Sequence, residues 1–208
     1  SPPSAPVELS RGGGELPSRV ADDLFWLGRY VARAEAAVRL ARTCLARIQD
    51  SPDGPEPLRP MLVELLSSAG ANPDPESLPK DVDAAARLVI SPADPTGLRN
   101  SLSAVRILAR ALRDRISTDA FRVLQSTDAL VAALDGARRE ELDDVVVRAL
   151  DVLDRMVTGF LAFGGVVADA MTRGQGWRFL EVGLRLERGV AMARLCRAAA
   201  ASESPHEA

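Results

Sequence analysis

One helical phrase occurs twice, near the two ends of the chain. Residues 27–40 read LGRYVARAEAAVRL and residues 182–195 read VGLRLERGVAMARL. At one constant offset they share Gly28/Gly183, Arg33/Arg188, Ala36/Ala191, Arg39/Arg194 and Leu40/Leu195, with apolar residues opposed at Leu27/Val182 and Val31/Leu186. Two helices this alike are expected to pair side by side across one core. Each carries arginine on or beside its apolar stripe. An unpaired charge there is costly, so the pattern also predicts carboxylates facing those arginines.

Composition agrees with an all-α fold. The 208 residues fit one domain, and 47% are hydrophobic but only 4% aromatic, which suits helices packed through Ala, Leu and Val. A formal charge of -3 leaves no electrostatic footprint for nucleic acid. Of the 26 basic residues only Lys80 is lysine, so the chain is rich in planar donors suited to carboxylate or phosphate and poor in amine nucleophiles. Cys44 and Cys196 stand alone in helical patterns, and the one histidine, His206, lies in the polar tail ASESPHEA. A disulfide framework, a metal site and a Ser-His or Cys-His triad are therefore poorly supported, and both thiols read as small buried apolar groups. No signal peptide is visible, and a first residue of Ser1 reads as a processed or excised product.

Along the chain, residues 1–17 combine prolines with the run Gly12-Gly13-Gly14 and read as a flexible arm. Residues 18–201 read as a single helical bundle of about six to seven helices, and residues 202–208 as a disordered tail. Apolar periodicity predicts a long first helix from an N-cap at Ser18 to about Ile48. Short helices are expected over Met61–Ala69 and Asp81–Ile90, then helices over about Leu98–Ile116 and, capped by Ser117 or Thr118, to about Leu134. A long penultimate helix over Glu140–Met171, interrupted at Gly159 and Gly164-Gly165, and a long last helix over about Trp177–Ala201 complete the bundle. The uncharged run Met156–Ala168 is too short for a membrane span, which needs about 20 apolar residues. It reads as a buried central helix whose glycines admit a close neighbour.

Four charge constellations are candidates for chemistry. Asp144, Arg148, Asp151 and Arg155 alternate in sign at helical spacing, the pattern of a solvated face. Arg106, Arg110 and Arg113 share one helix face, either turned to solvent or, because Arg106 and Arg113 border the apolar stripe, facing Glu35, Glu187 or an anionic ligand. Arg29, Arg33 and Glu35 lie on the first helix, and Arg178, Glu181, Arg185, Glu187 and Arg188 on the last. Glu187 and Arg188 point about 100° apart, so one of them is expected to reach inward.

The segments SRVADDLFWLGRYVARAEAAVRL (18–40), DPTGLRNSLSAVRILARALRDRIS (94–117) and MTRGQGWRFLEVGLRLERGVAMARL (171–195) together resemble the bacterial alpha-E family, a helical domain named for a Glu-Arg motif. The resemblance implies association with, or fusion to, a circularly permuted ATP-grasp domain and a link to transglutaminase-like proteins in small-peptide or amide biosynthesis. Carried over by position, the motif falls on Ala32-Arg33 and on Glu187-Arg188. Ala32 therefore departs from the pattern, as does Ile107 in the middle segment, where the family usually has glutamate.

With two carboxylates missing, the expected function is a non-catalytic accessory domain serving an ATP-grasp-type amide or peptide ligase by docking, substrate presentation or anion binding. Arg29, Arg33, Arg106, Arg110, Arg113, Arg178 and Arg188 are the candidate anion- or substrate-binding residues, with Glu35 and Glu187 as ion-pair partners inside the bundle. One alternative is a catalytic domain in which Glu187 is general acid or base beside the arginine cluster. Another is an architectural bundle that mediates homo-oligomerisation. The domain itself is expected to need no cofactor, with ATP and magnesium belonging to the ATP-grasp partner. A cytoplasmic location, with no membrane and no nucleic-acid partner, follows from the same reading.

Overall fold

A computed structural model of the chain describes residues 16–50, 98–137 and 142–202, and every regular element within them is a helix. The helices are α1 (Ser18–Gln49), α2 (Leu98–Ala111), α3 (Thr118–Ala137), α4 (Leu142–Ala170) and α5 (Gln175–Ser202). The first, penultimate and last are the long ones, as their periodicity predicts. The short helices expected over Met61–Ala69 and Asp81–Ile90 lie outside the described residues, as do most of the arm and of the tail.

Local chemistry explains most of the boundaries. Ser117 caps α3, its Oγ accepting the Ala120 amide at 3.1 Å. α1 begins a residue earlier than a Ser18 cap would allow, because the Pro17 carbonyl already accepts the Ala21 amide at 3.0 Å. α2 stops at Ala111, short of the expected Ile116. The chain then closes through tight turns, with the Arg115 amide donating to the Leu112 carbonyl at 2.8 Å. α4 is continuous through Gly159, Gly164 and Gly165, where interruptions were expected. At its far end the Trp177 indole donates to the Val167 carbonyl at 3.1 Å and ties the start of α5 to α4.

α1 is the hub, packing against α5, α2 and α4, while α3 packs on α4 and α2. Its apolar positions recur at helical spacing: Leu24, Leu27, Val31, Ala34, Val38, Ala41 and Leu45 are all buried. α2 contributes Leu102, Val105 and Ala109, and α4 contributes Val152, Leu153, Met156, Phe160, Phe163 and Val167. α4 is not buried all round, however. Thr158, Leu161, Ala162 and Gly165 face solvent, so the uncharged run is amphipathic rather than central. No described helix is long and apolar enough to cross a membrane.

α1 and α5 run parallel, since residue numbers rise together along their contact, from Phe25 against Gly183 and Gly28 against Leu184 to Arg33 against Glu187 and Glu35 against Arg188. Two glycines let their backbones touch. A Cβ on Gly28 would strike the Leu180 carbonyl oxygen and sit 2.9 Å from the Leu184 amide, and one on Gly183 would strike the Phe25 carbonyl oxygen and sit 3.1 Å from the Arg29 amide. These are the matched glycines of the repeated phrase. The repeat is thus a pseudo-twofold pair of parallel helices, each supplying the small residue that admits the other.

Candidate functional site

Just past the glycine contact, two carboxylates are enclosed by four arginines. Glu187 on α5 is only 2% exposed. Each of its oxygens has its own arginine from α1: Arg29 Nε donates to Oε2 at 2.7 Å and Arg33 Nε to Oε1 at 2.8 Å. Glu35 on α1 repeats the arrangement with its polarity crossed. Arg39, one turn along the same helix, donates to Oε1 through Nη2 at 2.9 Å, and Arg188 reaches across from α5 to Oε2 at 3.1 Å. The close approach set by Gly28 and Gly183 brings these groups within hydrogen-bond range.

Aromatic rings on α1 shelve the two arginines that hold Glu187. The Arg29 guanidinium lies over Trp26 at 5.2 Å and over Phe25 at 5.9 Å, and that of Arg33 over Tyr30 at 5.4 Å. Such contacts favour the cation and limit its rotamers. Burial pushes the Glu187 carboxyl up, but the hydrogen bonds from Arg33 and Arg29 and their positive charges outweigh it and hold the group below the ordinary glutamate value. Glu187 is therefore a fixed anion with both oxygens engaged. It has no proton to give near neutral pH, and each oxygen already accepts from an arginine.

The expected receptor face on α2 does not join this cluster. Arg106, Arg110 and Arg113 are exposed, and Glu187 and Glu35 are held instead by Arg29, Arg33, Arg39 and Arg188. Arg106 and Arg110 each follow a core residue, Val105 and Ala109, and so sit about 100° off the buried stripe. Arg113 lies beyond the end of the helix and covers the Phe121 ring at 5.4 Å. Arg106 and Arg110 line a small cleft of about 130 Å³ with Gln125 and Asp128 of α3. Arg178 is also exposed and apart from the cluster, beside Phe25 and Phe179.

Arg39 is the partner that arginine spacing alone did not single out, although Glu35-Arg39 is a readable i,i+4 pair. Of the thiols, Cys44 is buried as expected, and burial pushes it up to about 12. Cys196 is exposed, contrary to the expectation, because it lies on the outer face of α5. Asp151 and Arg155 are exposed at 3.8 Å, the weak pairing of a solvated face. Among the described residues, no three His, Cys, Asp or Glu side chains come together to hold a metal.

Glu187-Arg188 is the only Glu-Arg dipeptide in the sequence, and it lies at the centre of the cluster. A family model described as a predicted alpha-helical domain with a conserved ER motif matches residues 16–208. The chain belongs to the Alpha-E family. Within this Alpha-E chain the motif has a physical reading: its glutamate is the buried anion that ties α5 to α1, and its arginine returns the bond. The chain is 28% identical over 197 residues to uncharacterized proteins of Mycobacterium bovis and Mycobacterium tuberculosis, covering 86% of this chain and 22% of each relative. It thus spans under a quarter of the length of the curated relatives it matches. No solved structure matches it.

Proposed function

We propose that this Alpha-E domain has no reaction of its own and serves as a helical docking module for an ATP-grasp-type amide or peptide ligase. The observation that carries the reading is the outer face of α5. Phe179, Val182, Leu186, Gly189, Ala193 and Cys196 follow one another at intervals of three and four, and all six are exposed. That is a heptad seam, the pattern by which one helix receives another. α1 is the one described helix against which α5 packs extensively, so the seam is an open half of an interface. Arg178 borders it and favours an acidic group on the partner helix, whereas Arg185, one heptad on, is already paired with Glu181 of its own helix at 2.7 Å.

The paired state of Glu187 supports the same reading, because a carboxylate held as an anion by two arginines is a poor general acid or base. The mycobacterial relatives carry most of their length outside the matched region, which leaves room for a catalytic partner on one polypeptide. ATP and magnesium belong to that partner, and a transglutaminase-like protein is a further candidate for the same assembly.

The test is Leu186→Glu in the full chain, co-expressed with the ATP-grasp protein of the same genome. The expected result is an unchanged melting temperature, loss of co-elution and a lower yield of ligase product. Unchanged co-elution and yield would refute the proposal. So would a wild-type dimer that Leu186→Glu converts to monomer, since the seam would then join two copies of this chain.

A further inference from the structure

We infer that the groove between α1 and α5 beside Ala32 is a binding site for an apolar molecule ending in a carboxylate. The argument starts from the broken symmetry of the repeated phrase. Arg33 on α1 donates to Glu187 on α5. Arg188 is the counterpart of Arg33, and the counterpart of Glu187 is position 32, where the chain has alanine. Arg188 consequently reaches a turn further, to Glu35, with one hydrogen bond at 3.1 Å, and its side chain remains 52% exposed.

The missing side chain leaves both space and charge. Ala32 is buried and forms part of the wall of a groove of about 410 Å³, a volume within the range of small-molecule sites. Ala36, Leu40, Ala191, Met192 and Leu195 make its apolar lining. Arg39 and Arg188 stand at its polar end and share the single carboxylate of Glu35, so that end carries one positive charge in excess. Guanidinium groups favour carboxylates through paired N–H donors. A ligand carboxylate entering beside Ala32 supplies the anion that position 32 lacks, while its apolar stem lies along Leu40, Met192 and Leu195.

This site is independent of the docking seam, because Arg188, Ala191, Met192 and Leu195 occupy other heptad positions than Phe179, Val182 and Leu186. Calorimetry with octanoate, octanol and acetate on the full chain tests it. Octanoate should bind at least about tenfold more tightly than either octanol, which lacks the charge, or acetate, which lacks the stem. Ala32→Glu places a carboxylate and its stem in the site and should weaken octanoate by about tenfold or more. Met192→Glu, at an exposed wall position, should do the same with an unchanged helical circular dichroism spectrum. Leu186→Glu should leave octanoate binding unaltered. Octanoate that binds no better than octanol, or that binds Ala32→Glu and Met192→Glu as well as wild type, would overturn the inference.

Discussion

Replacing Gly28 or Gly183 by alanine tests the central contact of the fold. In an exposed helix the change stabilises by about 1 kcal/mol. Here the added methyl group meets backbone atoms of the opposing helix, the Leu180 carbonyl and Leu184 amide for Gly28, and the Phe25 carbonyl and Arg29 amide for Gly183. Backbone cannot rotate aside as a side chain can, so α1 and α5 must separate. Overpacking of this kind costs about 1–3 kcal/mol. Separation also stretches the hydrogen bonds from Arg29 and Arg33 to Glu187, and charge-assisted bonds of that type contribute about 1.5–3 kcal/mol. After the propensity gain is subtracted, each variant should lose about 3 kcal/mol. For a domain of this size that lowers the melting temperature by about 6–12 °C. Gly189→Ala is the control, since a Cβ there meets nothing within 4 Å, and it should gain about 1 kcal/mol. Thermal and urea unfolding of the three variants decide the matter. A Gly28→Ala or Gly183→Ala protein that melts at or above wild type would refute the reasoning.

Glu187→Gln should destabilise the domain by about 2 kcal/mol at neutral pH, less than for a fully buried pair because Arg29 and Arg33 keep some contact with water. The folded carboxyl lies below its ordinary value, so its contribution is complete above the unfolded value of about 4.3 and is lost as pH falls through the folded one. The gap between wild type and variant in urea unfolding should therefore narrow with acidification below about pH 4, and a gap constant between neutral pH and pH 3 would contradict the assignment. A second contact is testable by a double-mutant cycle. A Cβ on Gly159 would lie 2.5 Å from Thr127 Oγ1, which donates to the Val123 carbonyl, so Gly159→Ala should cost about 1–3 kcal/mol and Thr127→Ala should restore part of it. Simple additivity of the two changes would show that the contact is absent.

The amino-acid sequence by itself determined that the chain is helical, where its long helices run, and that its two related ends pair. It also required one of Glu187 and Arg188 to reach inward. These properties follow from local periodicity, which each segment carries alone. Tertiary structure decided what lies opposite each face. It chose Glu187, because the buried face of α5 carries Leu180 and Leu184 while Val182 and Leu186, matched to buried Leu27 and Val31 of the repeat, turn out to be exposed. Arg106 and Arg113 border an apolar stripe much as Arg29 and Arg33 do, yet among the described residues it is the latter pair that holds a carboxylate, because parallel register and two glycines bring α5 against that edge of α1. The exposure of Cys196 and the groove beside Ala32 arise the same way. A side chain at the border of a helix face is committed to solvent or to a partner by the neighbouring helix, and that neighbour's position is not written in the border residue.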